Sequence, residues 1–274
     1  MVRKVVIEKE ELLELYTNQR MSTKEIADIY NTSTKTIRMR LHEYNIPVRQ
    51  SSEINRRYIF DECYFDAIDT QSKAYILGLI SSDGWVANNK FGTPALVGIS
   101  FQECDGEVID FIKQELQCPN HSEHKKIGHR GVSFSSTKMA KKLCEYGIVP
   151  NKSAIINMEE VVKLANIPDY LVPSFLLGVY DGDGGIYSCL GKNRKTVQWT
   201  MGITGTLSTC KFLKEYFNCG YIVDEETDCG AIYTFKLSGR NQVVNGLSKL
   251  YDNHNSFYFK RKYNKFLDAK SPTI

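Results

Sequence analysis

Ile76-Leu77-Gly78-Leu79-Ile80-Ser81-Ser82-Asp83-Gly84 and, one hundred residues later, Leu176-Leu177-Gly178-Val179-Tyr180-Asp181-Gly182-Asp183-Gly184 are two versions of one phrase. Each is an apolar run that carries one glycine and stops at Asp-Gly. Such a run predicts a helix with a smooth, small-residue face that delivers a carboxylate at its foot and then turns. Two of these helices, packed at Gly78 and Gly178, would bring Asp83 and Asp183 together.

A helix C-terminus already carries partial negative charge, so an aspartate there calls for a compensating positive group. A divalent cation supplies it. Hard oxygen ligands from Asp83 and Asp183, with the preceding carbonyls of Ser82 and Gly182, suit Mg²⁺ better than a softer metal, with Mn²⁺ as a substitute. A lone Asp-Gly is a common turn signal, and it is the matched pair that points to a site.

The two phrases resemble the paired motifs of the LAGLIDADG homing endonucleases, in the single-chain form in which two related halves replace a homodimer. The resemblance covers residues 64 to 266. It is carried also by Tyr64-Phe65-Asp66 and Ala74-Tyr75 before the first motif, by Gly147-Ile148-Val149-Pro150-Asn151-Lys152-Ser153 late in the first half, and by Tyr258-Phe259-Lys260-Arg261-Lys262-Tyr263 late in the second. The first motif departs from the pattern, with Ser81-Ser82 where the family has Asp-Ala, which makes the halves unequal but leaves the metal-binding acid, Asp83, in place.

The resemblance implies a mobile-element endonuclease that acts as a monomer on a long, near-asymmetric double-stranded DNA target. It implies that Asp83 and Asp183 each serve one strand, across the minor groove, and leave short 3′ overhangs. It also implies active-site lysines, which fall at Lys152 in the first half and at Lys260 or Lys262 in the second, and a polar residue at the end of the first strand pair, Gln102. No clear equivalent of Gln102 occurs around Thr204-Gly205-Thr206.

The rest of the chain repeats as the motifs do. Strand-like runs at 96–101 and 197–203 precede helical patterns at 108–116 and 209–217; a second strand pair at 132–135 and 232–237 precedes helices at 139–146 and 242–250. Phe111-Ile112-Lys113 and Phe212-Leu213-Lys214 match at nearly the same offset. Two copies of one αββαββα unit, each with a curved antiparallel sheet covered by helices on one face, account for this, giving an α+β fold shaped as a DNA-binding saddle. In the second half Gln198, Thr200, Gly202 and Thr204 alternate with apolar residues, as base-reading positions or an ordinary solvent-facing sheet would.

Ahead of the repeats, residues 8 to 46 read as three short helices. Ser22-Thr23-Lys24-Glu25 is a capping box opening the second, a turn at Asn31-Thr32-Ser33 follows, and the third holds Ile37 and Leu41 inward. A small Ala27, a short turn and a basic third helix resemble a helix-turn-helix DNA reader, with Lys35, Thr36 and Arg40 toward the major groove and Arg38 on phosphate or solvent. A three-helix packing unit with a solvated basic face is the plainer reading. Arg49, Arg56 and Arg57 lie in a basic tether suited to following a DNA backbone. The expected organisation is therefore 1–48 helix-turn-helix, 49–63 tether, 64–157 first repeat and 158–274 second repeat.

Composition sets the outer bounds. With 42% apolar and 24% charged residues among 274, the chain is an ordinary globular one. A net charge of +3 is too small to argue for nucleic acid, but it divides as +3 over residues 1–57, −3 over 58–150 and +3 over 151–274, which leaves room for locally basic surfaces. No apolar stretch approaches the roughly 18 residues that span a bilayer, and the N-terminus turns acidic too early for a secretory signal. Eight cysteines without a CxxC pair read as reduced, mostly buried thiols in a cytoplasmic or nucleoid-like compartment. Cys118, His121, His124 and His129 share one polar stretch but match no standard zinc spacing. Neither a phosphate-binding glycine loop nor a His-Asn-His nuclease motif is present, and no small-molecule cofactor is expected. Two other functions fit the same fold: a regulator that binds DNA without cutting it, and an RNA-binding intron maturase.

Overall fold

The computed structural model describes residues 7–19, 21–48, 59–190, 197–227 and 230–271. The chain divides into two compact units, Met1–Ile59 and Phe60–Ile274.

In the smaller unit, α1 (Lys9–Leu13) runs on into a wider helical turn, Glu14–Asn18, and is followed by α2 (Thr23–Ile29) and α3 (Thr34–Glu43). The capping box forms in full: Glu25 N–H donates to Ser22 Oγ and Ser22 N–H donates to Glu25 Oε2. Ser33 caps α3 in the same way through Thr36 N–H. Ile7, Leu12, Tyr16, Ile26, Ala27, Ile37, Leu41 and Ile46 make this unit's separate core.

The larger unit begins at Phe60, which is buried in its core although the sequence reading had placed it in the tether. Its first half runs α4 (Gln71–Ser82), β1 (Trp85–Asn88), β2 (Pro94–Gln102), α5 (Glu107–Glu115), β3 (Glu123–Lys126), β4 (His129–Ser135) and α6 (Thr137–Glu145). A 3₁₀ turn, Lys152–Ala154, and α7 (Met158–Leu164) lead to the second half: α8 (Val172–Asp183), β5 (Gly184–Cys189), β6 (Gln198–Gly205), α9 (Leu207–Phe217), β7 (Tyr221–Thr227), β8 (Gly230–Ser238), α10 (Arg240–Tyr251) and α11 (Lys260–Lys270). The two sheets have the same antiparallel order, β1-β2-β4-β3 and β5-β6-β8-β7.

Both sheets bury one face under helices. Val97, Ile99, Phe101, Val132 and Phe134 do so in the first; Met201, Ile203, Phe235 and Leu237 do so in the second. A single core runs through both halves, because α4 and α8 meet along their small-residue faces. A Cβ added at Gly78 would lie 2.1 Å from the Phe175 carbonyl oxygen, and one at Gly178 would lie 2.1 Å from that of Tyr75. The glycines are what allow two backbones to approach so closely.

One expectation is corrected. Cys63, Cys104 and Cys189 are exposed, so the thiols among the described residues are not mostly buried. The polar stretch from Cys118 to His129 is dispersed: His121 packs its ring against Phe60 and Phe134, while His124 bonds Ser133 across the β3–β4 pair. Among the described residues no helix is long and apolar enough to cross a membrane.

Candidate active site at the helix seam

The seam between α4 and α8 ends at the two acids. Asp83 is the C-cap of α4 and Asp183 the last residue of α8. Their approach is close enough that a Cβ built on Gly182 would lie 2.0 Å from Ser82 Oγ and 3.2 Å from Asp83 Oδ2. Ser82 fills the seam from one side and Gly182 leaves it the room.

Asp83 and Asp183 are both exposed as residues, yet they sit at packed helix ends whose protein atoms displace part of their water. That surrounding protein disfavours the charged forms. Asp83 is pushed up from its ordinary value by desolvation, against the pull of Lys262 and Lys152. Asp183 is pushed up to about 6, by desolvation first and then by the charge of Asp83.

Two buried lysines flank the pair. Lys152, 4% exposed, donates from Nζ to the Ser82 carbonyl at 2.7 Å. Burial draws its pKa down, and the charges of Asp183 and then Asp83 oppose the shift. Lys262, 2% exposed, donates to the carbonyls of Tyr180, Asp181 and Gly184 at 2.8, 2.6 and 2.6 Å. Burial brings its pKa down to about 8, with Asp181 as the main opposing charge. Lys152, from the first half, is coupled most strongly to Asp183 of the second, whereas the strongest lysine influence on Asp83 is Lys262.

The structure separates the alternatives that the sequence left open. Lys260 is exposed on the surface and paired with Glu107 at 2.6 Å, away from the carboxylates, because at a helix start neighbouring residues two apart point in different directions. The Ser82 carbonyl, proposed as a metal ligand, already accepts the Lys152 ammonium. Gly182, the other carbonyl expected as a ligand, lies at the seam against Ser82.

Sequence reasoning missed Asp181. It is fully buried, and its Oδ2 accepts from Tyr75 Oη at 2.8 Å and from Phe259 N–H at 2.9 Å, so it fastens the loop that precedes Lys262. Its Oδ1 has no hydrogen-bond partner among the described residues, and desolvation pushes its pKa up to about 6. The equivalent Ser81 donates back to the Leu77 carbonyl in its own helix and fastens nothing. A buried carboxylate within an apolar run was the signal that could have found Asp181.

A cleft opens beside the seam, lined by Ser82, Lys152, Asp183, Thr204, Thr206 and Tyr233. Thr204 is thus near the site, although the sequence showed no equivalent of Gln102 there. Gln102 is exposed at the end of β2, and Gln198, Thr200 and Thr204 lie on the face of the second sheet opposite to that of Met201 and Ile203. In the smaller unit Lys35 and Arg38 are exposed, Thr36 Oγ1 is 2.9 Å from Ser33 Oγ, and Arg40 pairs with Glu43 at 2.5 Å, which offsets its charge. Arg49, Arg56 and Arg57 lie outside the described residues.

No protein-family model matches the sequence, and comparison with curated protein sequences finds no match. The fold does match solved structures of single-chain LAGLIDADG homing endonucleases. The meganuclease I-SmaMI bound to uncleavable DNA is 16% identical, with a TM-score of 0.51 over 74% of this chain and 89% of that one. I-GzeII in complex with its DNA target is 13% identical, with a TM-score of 0.51 over 72% and 88%. I-SmaMI bound to uncleaved DNA in the presence of calcium ions is 14% identical, with a TM-score of 0.50 over 74% and 90%. At these identities the match establishes the LAGLIDADG fold, with its two-sheet saddle.

Proposed function

We propose that the chain is a monomeric, site-specific endonuclease that hydrolyses both strands of a long DNA target with the help of a divalent cation, Mg²⁺ or Mn²⁺. The observation that carries this reading is the convergence of Asp83 and Asp183 at one glycine-packed seam, each influenced by a buried lysine. A protein that only bound DNA would gain nothing from holding two carboxylates, both resisting ionisation, against a phosphate backbone. The smaller unit extends the contact through Lys35 and Arg38 on α3, and Gln102, Gln198, Thr200 and Thr204 are the candidate contacts on the sheets. A reducing compartment suits the free thiols.

The residues fit a hard dication. Two exposed aspartates with raised pKa values and oxygen donors only form a site whose repulsion a bound cation relieves. When bound, the cation would lower the pKa of a water nucleophile and stabilise the leaving 3′ oxygen. Asp83 and Asp183 would hold it. The ammonium groups of Lys152 and Lys262, fixed by backbone carbonyls, add positive charge where the phosphate becomes more negative, and they need no reorganisation to do so.

The test is cleavage of a randomised duplex library with Mg²⁺, beside Ca²⁺ and beside the Asp83→Asn, Asp183→Asn double variant. One long site, cut on both strands by the parent protein with Mg²⁺ alone, is the expected result. A duplex bound specifically but cut under no metal would replace the reading with that of a regulator. Within the same assay, Lys152→Met and Lys262→Met are each expected to slow cleavage of one strand about 10²-fold, the cost of removing one preorganised donor. Lys260→Ala, which breaks only an exposed ion pair, should stay within about twofold of the parent.

A further inference from the structure

The loops that carry the two buried lysines rest on the opposite halves of the molecule. Lys262 belongs to the second half, yet the segment 253–261 that leads to it also makes several contacts with the first. Gln71 of α4 bonds the Asn253 carbonyl and the Asn255 N–H, each at 2.7 Å, and Ser72 meets Ser256 at 2.9 Å. Phe257 stacks on Phe111 and Phe259 packs edge-on against Phe101. Lys262 Nζ and Phe259 N–H rest on their own half, on the Tyr180, Asp181 and Gly184 carbonyls and on Asp181. The contact with the first half nearest to the lysine in the chain is Asp105, 7% exposed in the turn between β2 and α5, which takes Arg261 Nε on both oxygens, at 2.9 and 2.8 Å.

The other lysine shows the reciprocal arrangement. The segment after Lys152 ends at Ile156, whose carbonyl accepts Thr206 Oγ1 at 2.6 Å and Thr209 Oγ1 at 3.3 Å. Both threonines belong to the second half, Thr209 in the first turn of α9 and Thr206 in the turn between β6 and α9, the place in the repeat that Asp105 occupies in the first. Chemistry differs, a carboxylate in one case and hydroxyls in the other, but position does not.

We propose that Asp105 and Thr206 are positioning residues that act in trans: Asp105 of the first half sets the second half's Lys262, and Thr206 of the second half sets the first half's Lys152. This deepens, and rests on, the endonuclease reading. Its consequence is that the segment behind each lysine, whose ammonium rests on carbonyls of its own half, is fully anchored only when both halves are docked, so that cutting of either strand depends on the whole seam.

The experiment uses Asp105→Asn and Thr206→Asp, the second chosen because aspartate keeps the α9 cap while losing the hydrogen that Ile156 accepts. Each is compared with the parent on the parent's own target, labelled separately on its two strands, and by hydrogen exchange without DNA. Each variant should slow one strand about tenfold relative to the other, the two variants in opposite senses, as a small misplacement of a catalytic group would. Ca²⁺-supported DNA binding should hold at the parent's level, and Asp105→Glu and Thr206→Ser should recover most of the rate. Exchange should rise at residues 255–263 in Asp105→Asn and at 152–157 in Thr206→Asp. Equal slowing of both strands, or faster exchange in the variant residue's own half, would overturn the proposal. If the parent cuts no duplex, the endonuclease reading falls and the exchange pattern alone decides the anchoring.

Discussion

Asp83→Asn and Asp183→Asn are each expected to lower double-strand cleavage by roughly three orders of magnitude or more, since each removes a ligand from a cation worth several kcal/mol to the transition state. The same substitutions should raise the thermal midpoint of the metal-free protein at pH 8, and this opposite effect on stability separates a functional role from a structural one. The sign follows from the folded-state pKa. Asp183 is held at about 6, above its ordinary 3.8, so the folded state binds the proton more tightly than the unfolded chain does. Its favourable contribution is full below about pH 4 and is lost as the pH rises through about 6. Above that, the ionised carboxylate opposes folding, and asparagine does not. Ca²⁺ affinity, measured by calorimetry, should accordingly weaken as the pH falls from 7 to 5, because the proton and the cation compete for the same oxygens. A metal affinity that is flat across that range, or asparagine variants that lose stability at pH 8, would remove the two acids from the proposed site.

What could be read in the sequence was whatever local chemistry dictates. The Ser22 to Glu25 capping box, the Ile37 and Leu41 stripe and the two-copy plan depend on spacings of a few residues, and the structure forms each of them. Gly78 and Gly178 were legible because a glycine repeated at one place in two apolar runs has few uses other than close packing. Lys262 and Lys260 could not be told apart, since periodicity within α11 does not say which face meets α8; the difference lies in three carbonyls offered by residues eighty positions earlier. Asp181 showed only as a carboxylate within an apolar run, and Asp105 and Thr206 were silent, for the same reason. Their partners are Tyr75 and Phe259, Arg261, and Ile156, all distant in the chain and close only in the fold.

Gly78→Ala is expected to destabilise the larger unit by about 3 kcal/mol or more, near the top of the range for overpacked cores, because the new Cβ meets backbone and no side chain can move aside. The nearest atoms are the Phe175 carbonyl oxygen at 2.1 Å and the Val179 nitrogen at 3.0 Å. Alanine returns about 1 kcal/mol through its better helix propensity, which is too little to offset the clash. At about 2–4 °C per kcal/mol for a domain of this size, the thermal midpoint should drop by roughly 10 °C. Gly178→Ala should behave alike, having the Tyr75 carbonyl oxygen at 2.1 Å. The end of the seam offers a sharper version of the test. There the obstacle to a Cβ at Gly182 is a side chain, with Ser82 Oγ at 2.0 Å and Ser82 Cβ at 2.6 Å, so the clash is removable. Gly182→Ala alone should be strongly destabilising, while Gly182→Ala combined with Ser82→Gly should recover most of the loss, with a coupling energy of about 1–3 kcal/mol in a double-mutant cycle. Additive effects would mean that the helices do not meet at this point. Coupling would instead explain the unequal motifs: a serine on one side of the seam requires a glycine on the other, and the spacing of Asp83 and Asp183 is set by that fit.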